Sequence, residues 1–287
     1  MNNRYQSINL IVQGPDVPTP GLKQLAKLTG AAAIEAVSRT AFRLLDADDR
    51  QRAEVAAYCE AHQLDCGWVP AERRIGDFGL LVMDMDSTLI SIECIDEIAD
   101  MQGLKPQVSA ITEAARRGEI DFAESLRQRV SLLAGLDQSA LQRVYDERLQ
   151  LSPGAETLLA AARAAGIRTL LVSGGFTFFT ERLQPRLALD YTAANTLALA
   201  DGKLSGRLLG DIVDAQGKAD WLNRVRAELA LARAQVIAMG DGANDLKMMA
   251  EAGISIAYRA KPVVREKASY ALNQVGLEGV IPLLGAG

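Results

Sequence analysis

Phe78-Gly79-Leu80-Leu81-Val82-Met83-Asp84-Met85-Asp86-Ser87-Thr88-Leu89 is the stretch whose reading decides the fold. Its apolar start, Phe78 to Val82, is too short for a helix and suits a buried strand. Two aspartates one residue apart follow, where backbone pairing should be ending. Carboxylates at such a point, with a main-chain carbonyl freed from the ladder, can bind a hard cation. Ser87 and Thr88 add hydroxyls, and a short polar turn can present its N–H groups to an anion. The same aspartates could instead cap the next helix. Later strand ends must decide between the two readings.

Composition limits the alternatives. A chain of 287 residues suggests one large domain or two smaller ones, and 49% hydrophobic residues can build a sizeable core. The net charge of −5 argues against a nucleic-acid or anionic-membrane partner. No apolar run approaches the roughly 20 residues of a membrane span. Met1 to Gln6 lacks the pattern of a secretory leader, so the expected location is the cytoplasm. Cys59, Cys66 and Cys94 form no CxxC pair, which leaves neither a disulfide framework nor a cysteine zinc site. None has an arginine six positions later, as a cysteine-nucleophile phosphatase loop would. His62, the only histidine, lies in a polar helical segment and is expected at the surface. With no GxSxG turn either, a Ser-His-Asp triad is excluded. The carboxylates are left to carry the chemistry.

Residues 1–74 read as a separate small unit. Ile8 to Val12 suits a strand; Thr19-Pro20 opens a helix with Thr19 as N-cap, and Gly30 stops it. Strands are expected over Ala33 to Val37 and Ala41 to Leu45, a helix from Asp48-Asp49 through Glu60, and a strand over Leu64 to Val69. This β-α-β-β-α-β order is that of a ferredoxin-like sandwich. Pro70 to Gly76 is polar and reads as a linker. Residues 75–287 then form an α/β unit interrupted at about 91–150 by a charged, helical block, expected to hang over the strand end as a cap. Strands are expected at Ile167 to Val172, followed by Ser173-Gly174-Gly175, and at Asp190 to Ala194. A hairpin is expected over Thr196 to Leu208, and further strands at Gln235 to Met239 and at Ile254 to Ala257, the last of the core. Strands alternating with helices indicate a doubly wound parallel sheet.

In such a sheet ligands bind beyond the carboxyl ends of the strands. Asp84 and Asp241 could hold one Mg²⁺ with the main-chain carbonyl of Asp86. Ser173 could donate to a phosphate, and Lys218 could shield an attacking carboxylate from it. Taken singly, Ser173 reads equally as an N-cap and Lys218 as a surface lysine. Two nucleotide motifs fail: Ala219 follows Gly217-Lys218, breaking the P-loop pattern, and Asp245 stands where the dinucleotide motif needs glycine.

Asp-Met-Asp-Ser-Thr, Ser173, Lys218 and Gly240-Asp241-Gly242-Ala243-Asn244-Asp245 resemble the four motifs of the haloacid dehalogenase superfamily of aspartate-nucleophile phosphatases. The run Asp86 to Glu97 and the cap segment from Asp121-Phe122 to Leu133 resemble the phosphoserine phosphatase family within it. The likeness covers about residues 78–275. It implies that Asp84 is the nucleophile and Asp86 the proton donor and acceptor. It places Mg²⁺ on Asp84, the Asp86 carbonyl and Asp241, with Asp245 supporting them from behind. Ser173, Gly174, Lys218 and Asn244 would face the phosphate, and Glu93, Phe122 and Arg129 the amino-acid end of phosphoserine. The same motifs also serve phosphatases and phosphotransferases of other small metabolites. The front unit resembles an amino-acid-binding regulatory domain of ACT type only at Pro20-Gly21-Leu22, with a dimer through it left open.

Overall fold

The computed structural model describes residues 7–117 and 119–285; Met1 to Gln6, read above as lacking a leader, lie outside the described residues. The front unit comprises β1 (Ile8–Gln13), α1 (Thr19–Thr29), β2 (Ala33–Ala36), β3 (Ala41–Leu45), α2 (Arg52–Ala61) and β4 (Asp65–Pro70). Its antiparallel sheet has the order β2-β3-β1-β4, with Leu10 opposite Leu44 on one side and Trp68 on the other. Side chains alternate across a strand, so Leu10, Val12 and Leu44 face the helices and pack on Leu22, Leu25 and Val55. At the start of α1, Pro18 holds the cap position and Thr19 is already helical, one residue from the expected boundary. Gly30 ends the helix at φ 59°, a left-handed conformation that suits glycine. His62 is exposed and stacks on Tyr58.

The expected linker is a docked seam. Ile11 and Val69 belong to the same buried apolar cluster as Tyr270, Val275 and Leu283. Asp65 accepts the N–H groups of Asn273, Gln274 and Val275 at 2.9, 2.9 and 3.1 Å. Arg73 donates to the Tyr270 hydroxyl and the Leu283 carbonyl, and that hydroxyl donates to the carbonyl of Trp68. We propose the division between the units at residues 74 and 75. A chain beginning at Ile75 would then keep its chemistry but expose this apolar seam. We expect it to lose at least ~2 kcal/mol of stability while keeping the activity of the full chain. Calorimetry beside an activity assay checks this; an unchanged melting temperature would mean that the seam stabilises nothing.

The second unit opens with β5 (Leu80–Met83), buried throughout, as expected of a parallel strand covered on both faces. Helices α3 (Cys94–Asp100), α4 (Lys105–Arg116), α5 (Phe122–Ser131) and α6 (Ser139–Glu147) form the inserted cap. The chain leaves and re-enters the core side by side, with the Ser91 N–H on the Gln150 carbonyl and the Ser152 N–H on that of Leu89. Then follow α7 (Ala155–Ala164), β6 (Arg168–Phe176), α8 (Thr177–Leu187), β7 (Tyr191–Ala200), β8 (Lys203–Leu209), α9 (Ala215–Glu228) and β9 (Val236–Gly240). The unit closes with α10 (Leu246–Ala250), β10 (Ile254–Tyr258), α11 (Pro262–Lys267), β11 (Tyr270–Leu272) and α12 (Val280–Leu283).

The sheet order β11-β10-β9-β5-β6-β7-β8 places β5 at the centre between β6 and β9. All its pairs are parallel except β7 with β8. Three expectations change. The third strand and the first arm of the hairpin are one strand, β7. Ser173-Gly174-Gly175 lies within β6 rather than after it, across a register shift between Val172 and Phe176. A further strand, β11, lies beyond β10. Among the described residues no helix is long and apolar enough to cross a membrane.

Candidate active site

Backbone pairing of β5 ends at Asp84, whose N–H donates to the Met239 carbonyl of β9. Met85 to Leu89 then coils into a tight turn broken at Ser87, whose φ of 56° is unusual for a residue with a side chain. The turn holds the Asp84 carboxylate on the Met85 N–H at 2.7 Å and brings Asp86 back over the strand end. Lys218, in the first turn of α9, is 1% exposed and reaches the residues that follow β5 and β9. Its ammonium meets Asp84 Oδ1 at 2.6 Å and Asp245 Oδ1 at 2.8 Å. Burial works against its charge, but Asp245 and Asp84 outweigh it and hold the lysine protonated. Burial first, then Asp245, push the Asp84 carboxyl well up from its usual range, with Lys218 opposing them.

Asp86 has different partners. Its Oδ1 accepts the Cys94 N–H at 2.8 Å and its Oδ2 the Ser173 hydroxyl at 3.2 Å. Ser173 Oγ in turn accepts the Gly175 N–H at 2.8 Å. Burial raises the Asp86 carboxyl against these hydrogen bonds. A side chain at Gly175 would meet Asp86 Oδ2 at 2.7 Å, and one at Gly174 would meet the Phe122 ring at 2.9 Å, so a larger residue at either position would displace Asp86 or Phe122.

Carboxylate oxygens of Asp84, Asp241 and Asp245 lie within 4.8 Å of one another. Lys218 pairs with two of them but balances a single charge, and Asp245 is further held by the Gly242 N–H at 3.0 Å. Asp241 accepts the Thr88 hydroxyl at 3.1 Å, and burial followed by the Asp245 charge pushes it up to about 6. Hard oxygen donors with an uncompensated charge fit a divalent cation between Asp84 and Asp241. Asp245 sits behind them.

Above this floor is a cavity of about 460 Å³, lined by Asp84, Asp86, Gly174, Asp241 and Asn244 from the core and by Glu93, Phe122 and Arg129 from the cap side. Ser173 and Lys218, expected to face the phosphate, are buried beneath Asp86 and Asp84. Arg129 donates to the Ser125 carbonyl at 3.3 Å; burial draws its pKa down while Asp96, Glu93 and Asp86 oppose that. Glu93 stands at the open mouth of the cavity and accepts the Ser87 hydroxyl at 2.7 Å. Protein on its inner side, with Asp86 next in effect, pushes its carboxyl up to about 7. A protonated Glu93 cannot pair with a ligand ammonium. KM for such a ligand should therefore rise as pH falls below about 7, and Glu93→Gln should raise KM and flatten the profile. A wild-type profile level from about pH 6 to 8 would remove Glu93 from that role.

Sequence reasoning misses several residues here. Ser125, Asp96 and Lys261 line the cavity. Asn195, 2% exposed in β7, donates to the Gly174 carbonyl and accepts the Val213 N–H, both at 2.8 Å, and so fixes the backbone beside Asp86. An asparagine next to Thr196 in a largely apolar strand is its only signal.

Fold and site together define a doubly wound α/β enzyme with an inserted helical cap and a carboxylate-rich centre that fits a divalent cation. The haloacid dehalogenase-like hydrolase model matches residues 81–250, and a domain of unknown function (DUF4072) matches residues 10–55. The chain is 53% identical over 216 residues to the phosphoserine phosphatase of a Polaromonas species, an overlap of 74% of this chain and 92% of that protein. A haloacid dehalogenase-family hydrolase from Salmonella enterica serovar Typhi superposes with a TM-score of 0.88 at 34% identity, covering 97% of this chain and 98% of its own. A probable phosphoserine phosphatase from Vibrio cholerae superposes with a TM-score of 0.85 at 39% identity, covering 96% and 86%. The chain belongs to the haloacid dehalogenase-like hydrolase family.

Proposed function

We propose that this enzyme hydrolyses O-phospho-L-serine to L-serine and phosphate through a phosphoaspartate on Asp84. The observation that carries the reading is the buried Lys218 between Asp84 and Asp245, beneath a cavity whose cap side bears Glu93 and Arg129. Relatives named as phosphoserine phosphatases support the substrate. An Asp84 oxygen attacks phosphorus while the bond from phosphorus to the serine oxygen breaks, and Asp86 gives that oxygen its proton. Its burial keeps the proton on Asp86 more readily than water would. A water then attacks the phosphoaspartate, Asp86 takes the water's proton, and the bond to Asp84 breaks to release phosphate. Asp84, Asp241 and the Asp86 carbonyl would hold Mg²⁺, which when bound neutralises charge on the phosphate. Ser173, Gly174, Asn244 and Lys218 form the phosphate end, with Lys218 and Ser173 acting from beneath. Such a reaction fits a cytoplasmic enzyme of amino-acid synthesis.

Phosphate release should be screened across phosphoserine, phosphothreonine, phosphoethanolamine and an aryl phosphate, with Mg²⁺. A preference for phosphoserine is expected; equal rates on all four would overturn the substrate assignment. Arg129 can grip the carboxylate with its planar fork. Arg129→Ala should cost roughly 2–5 kcal/mol in kcat/KM on phosphoserine and far less on the aryl phosphate. Equal losses would show that Arg129 serves the fold or the phosphate.

A further inference from the structure

Ser125 lies on α5 with Phe122 three residues before it and Arg129 four after, so all three share the face turned to the cavity. It is 1% exposed, yet its hydroxyl has no hydrogen-bond partner among the described residues. A buried helical serine ordinarily returns its hydroxyl to a carbonyl of the preceding turn. Its neighbours in the cap do so: Thr112 bonds the Val108 carbonyl at 3.1 Å, and Ser131 that of Gln128 at 2.7 Å. Ser125 instead donates its N–H to the Asp121 carbonyl and accepts Arg129 Nε on its own carbonyl, leaving the hydroxyl alone. An unpaired buried hydroxyl destabilises the fold unless a ligand completes it.

We infer that the Ser125 hydroxyl donates to the carboxylate of the bound amino-acid phosphate, beside Arg129, and so helps select substrates that carry one. This rests on the substrate class proposed above. A carboxylate offers about four lone-pair positions, and the Arg129 fork leaves some of them free for a hydroxyl on the same helix face. Asp96 and Glu93, whose charges act on Arg129 from the same wall, are acidic and cannot fill them when ionised.

The test compares phosphoserine with phosphoethanolamine, which has the phosphate and ammonium but no carboxylate. Ser125→Ala should lower the ratio of kcat/KM values, phosphoserine over phosphoethanolamine, by roughly tenfold or more, the scale of a hydrogen bond to a charged group. The change should appear in KM rather than kcat. Free of ligand, the variant should melt no lower than the wild type, since it loses only an unpaired polar atom. An unchanged ratio, including an equal loss on both substrates, would overturn the inference, as would a lowered melting temperature with both activities reduced. A wild-type enzyme that does not prefer phosphoserine would overturn the substrate class and the inference with it.

Discussion

Asp84→Asn is expected to cut phosphate release from phosphoserine by roughly 10⁴-fold or more while leaving the fold intact. The chemical reason is that an amide oxygen is a poor nucleophile and would form no stable phosphoryl adduct. The structural reason lies in the two bonds that Asp84 Oδ1 makes, to the Met85 N–H and to Lys218. An asparagine oxygen can accept both. Lys218 keeps Asp245 as its counter-charge, and the repulsion between Asp84 and Asp245 disappears. These changes oppose each other, so the melting temperature should move little. Long incubations with intact-mass analysis are needed, because deamidation back to aspartate would restore turnover. Wild-type rates from a variant whose mass shows that the amide persists would remove Asp84 from the reaction.

The order of burial explains what can be read from the chain beforehand. Strand β5 is apolar throughout because helices cover both of its faces, and its candidate site residues follow without a gap, so the sequence points to them once the later strand ends are read with it. Lys218 is harder: a lysine after glycine in a helix reads as solvated, and only the fold shows it buried against Asp84 and Asp245. Glu93 and Arg129 are placed by resemblance, since charged residues in or beside amphipathic helices ordinarily face water, and Phe122 is placed with them. Strand β7 reads as two pieces because Asn195 interrupts its apolar run. That side chain is buried to hold Gly174 and Val213, a tertiary reason without local trace. Strand β11 has three residues, too few for any period to register. Ser125 and Lys261 join the cavity through the packing of cap and loop, and neither residue type announces such a role. The seam between the two units reads as a linker from its polarity, although Arg73 uses that polarity to bind the core.

Lys218→Met should lower stability by roughly 3–5 kcal/mol, the usual cost of breaking a buried ion pair on one side. For a unit of this size that corresponds to a melting-temperature loss on the order of 10 °C. Methionine keeps most of the volume, so the loss reports charge rather than a cavity. Without the ammonium, Asp84 and Asp245 face each other in a buried site with Asp241 close by. Asp84 already binds its proton more tightly than usual, and removing Lys218, which opposes that, raises its pKa further. A carboxyl whose pKa is higher folded than unfolded favours the folded state at low pH and loses that advantage as pH rises through the folded value. The gap between variant and wild type should therefore be wider at about pH 8 than at about pH 5.5. Mg²⁺ should narrow it at the higher pH by supplying positive charge to the same carboxylates. Turnover should also be lost, because the phosphate would approach an unshielded Asp84. Calorimetry at the two pH values, with and without Mg²⁺, measures the stability changes, and phosphate release measures turnover. A gap that is independent of both pH and Mg²⁺ would mean that Lys218 holds the site by packing, and the electrostatic account of the centre would fail.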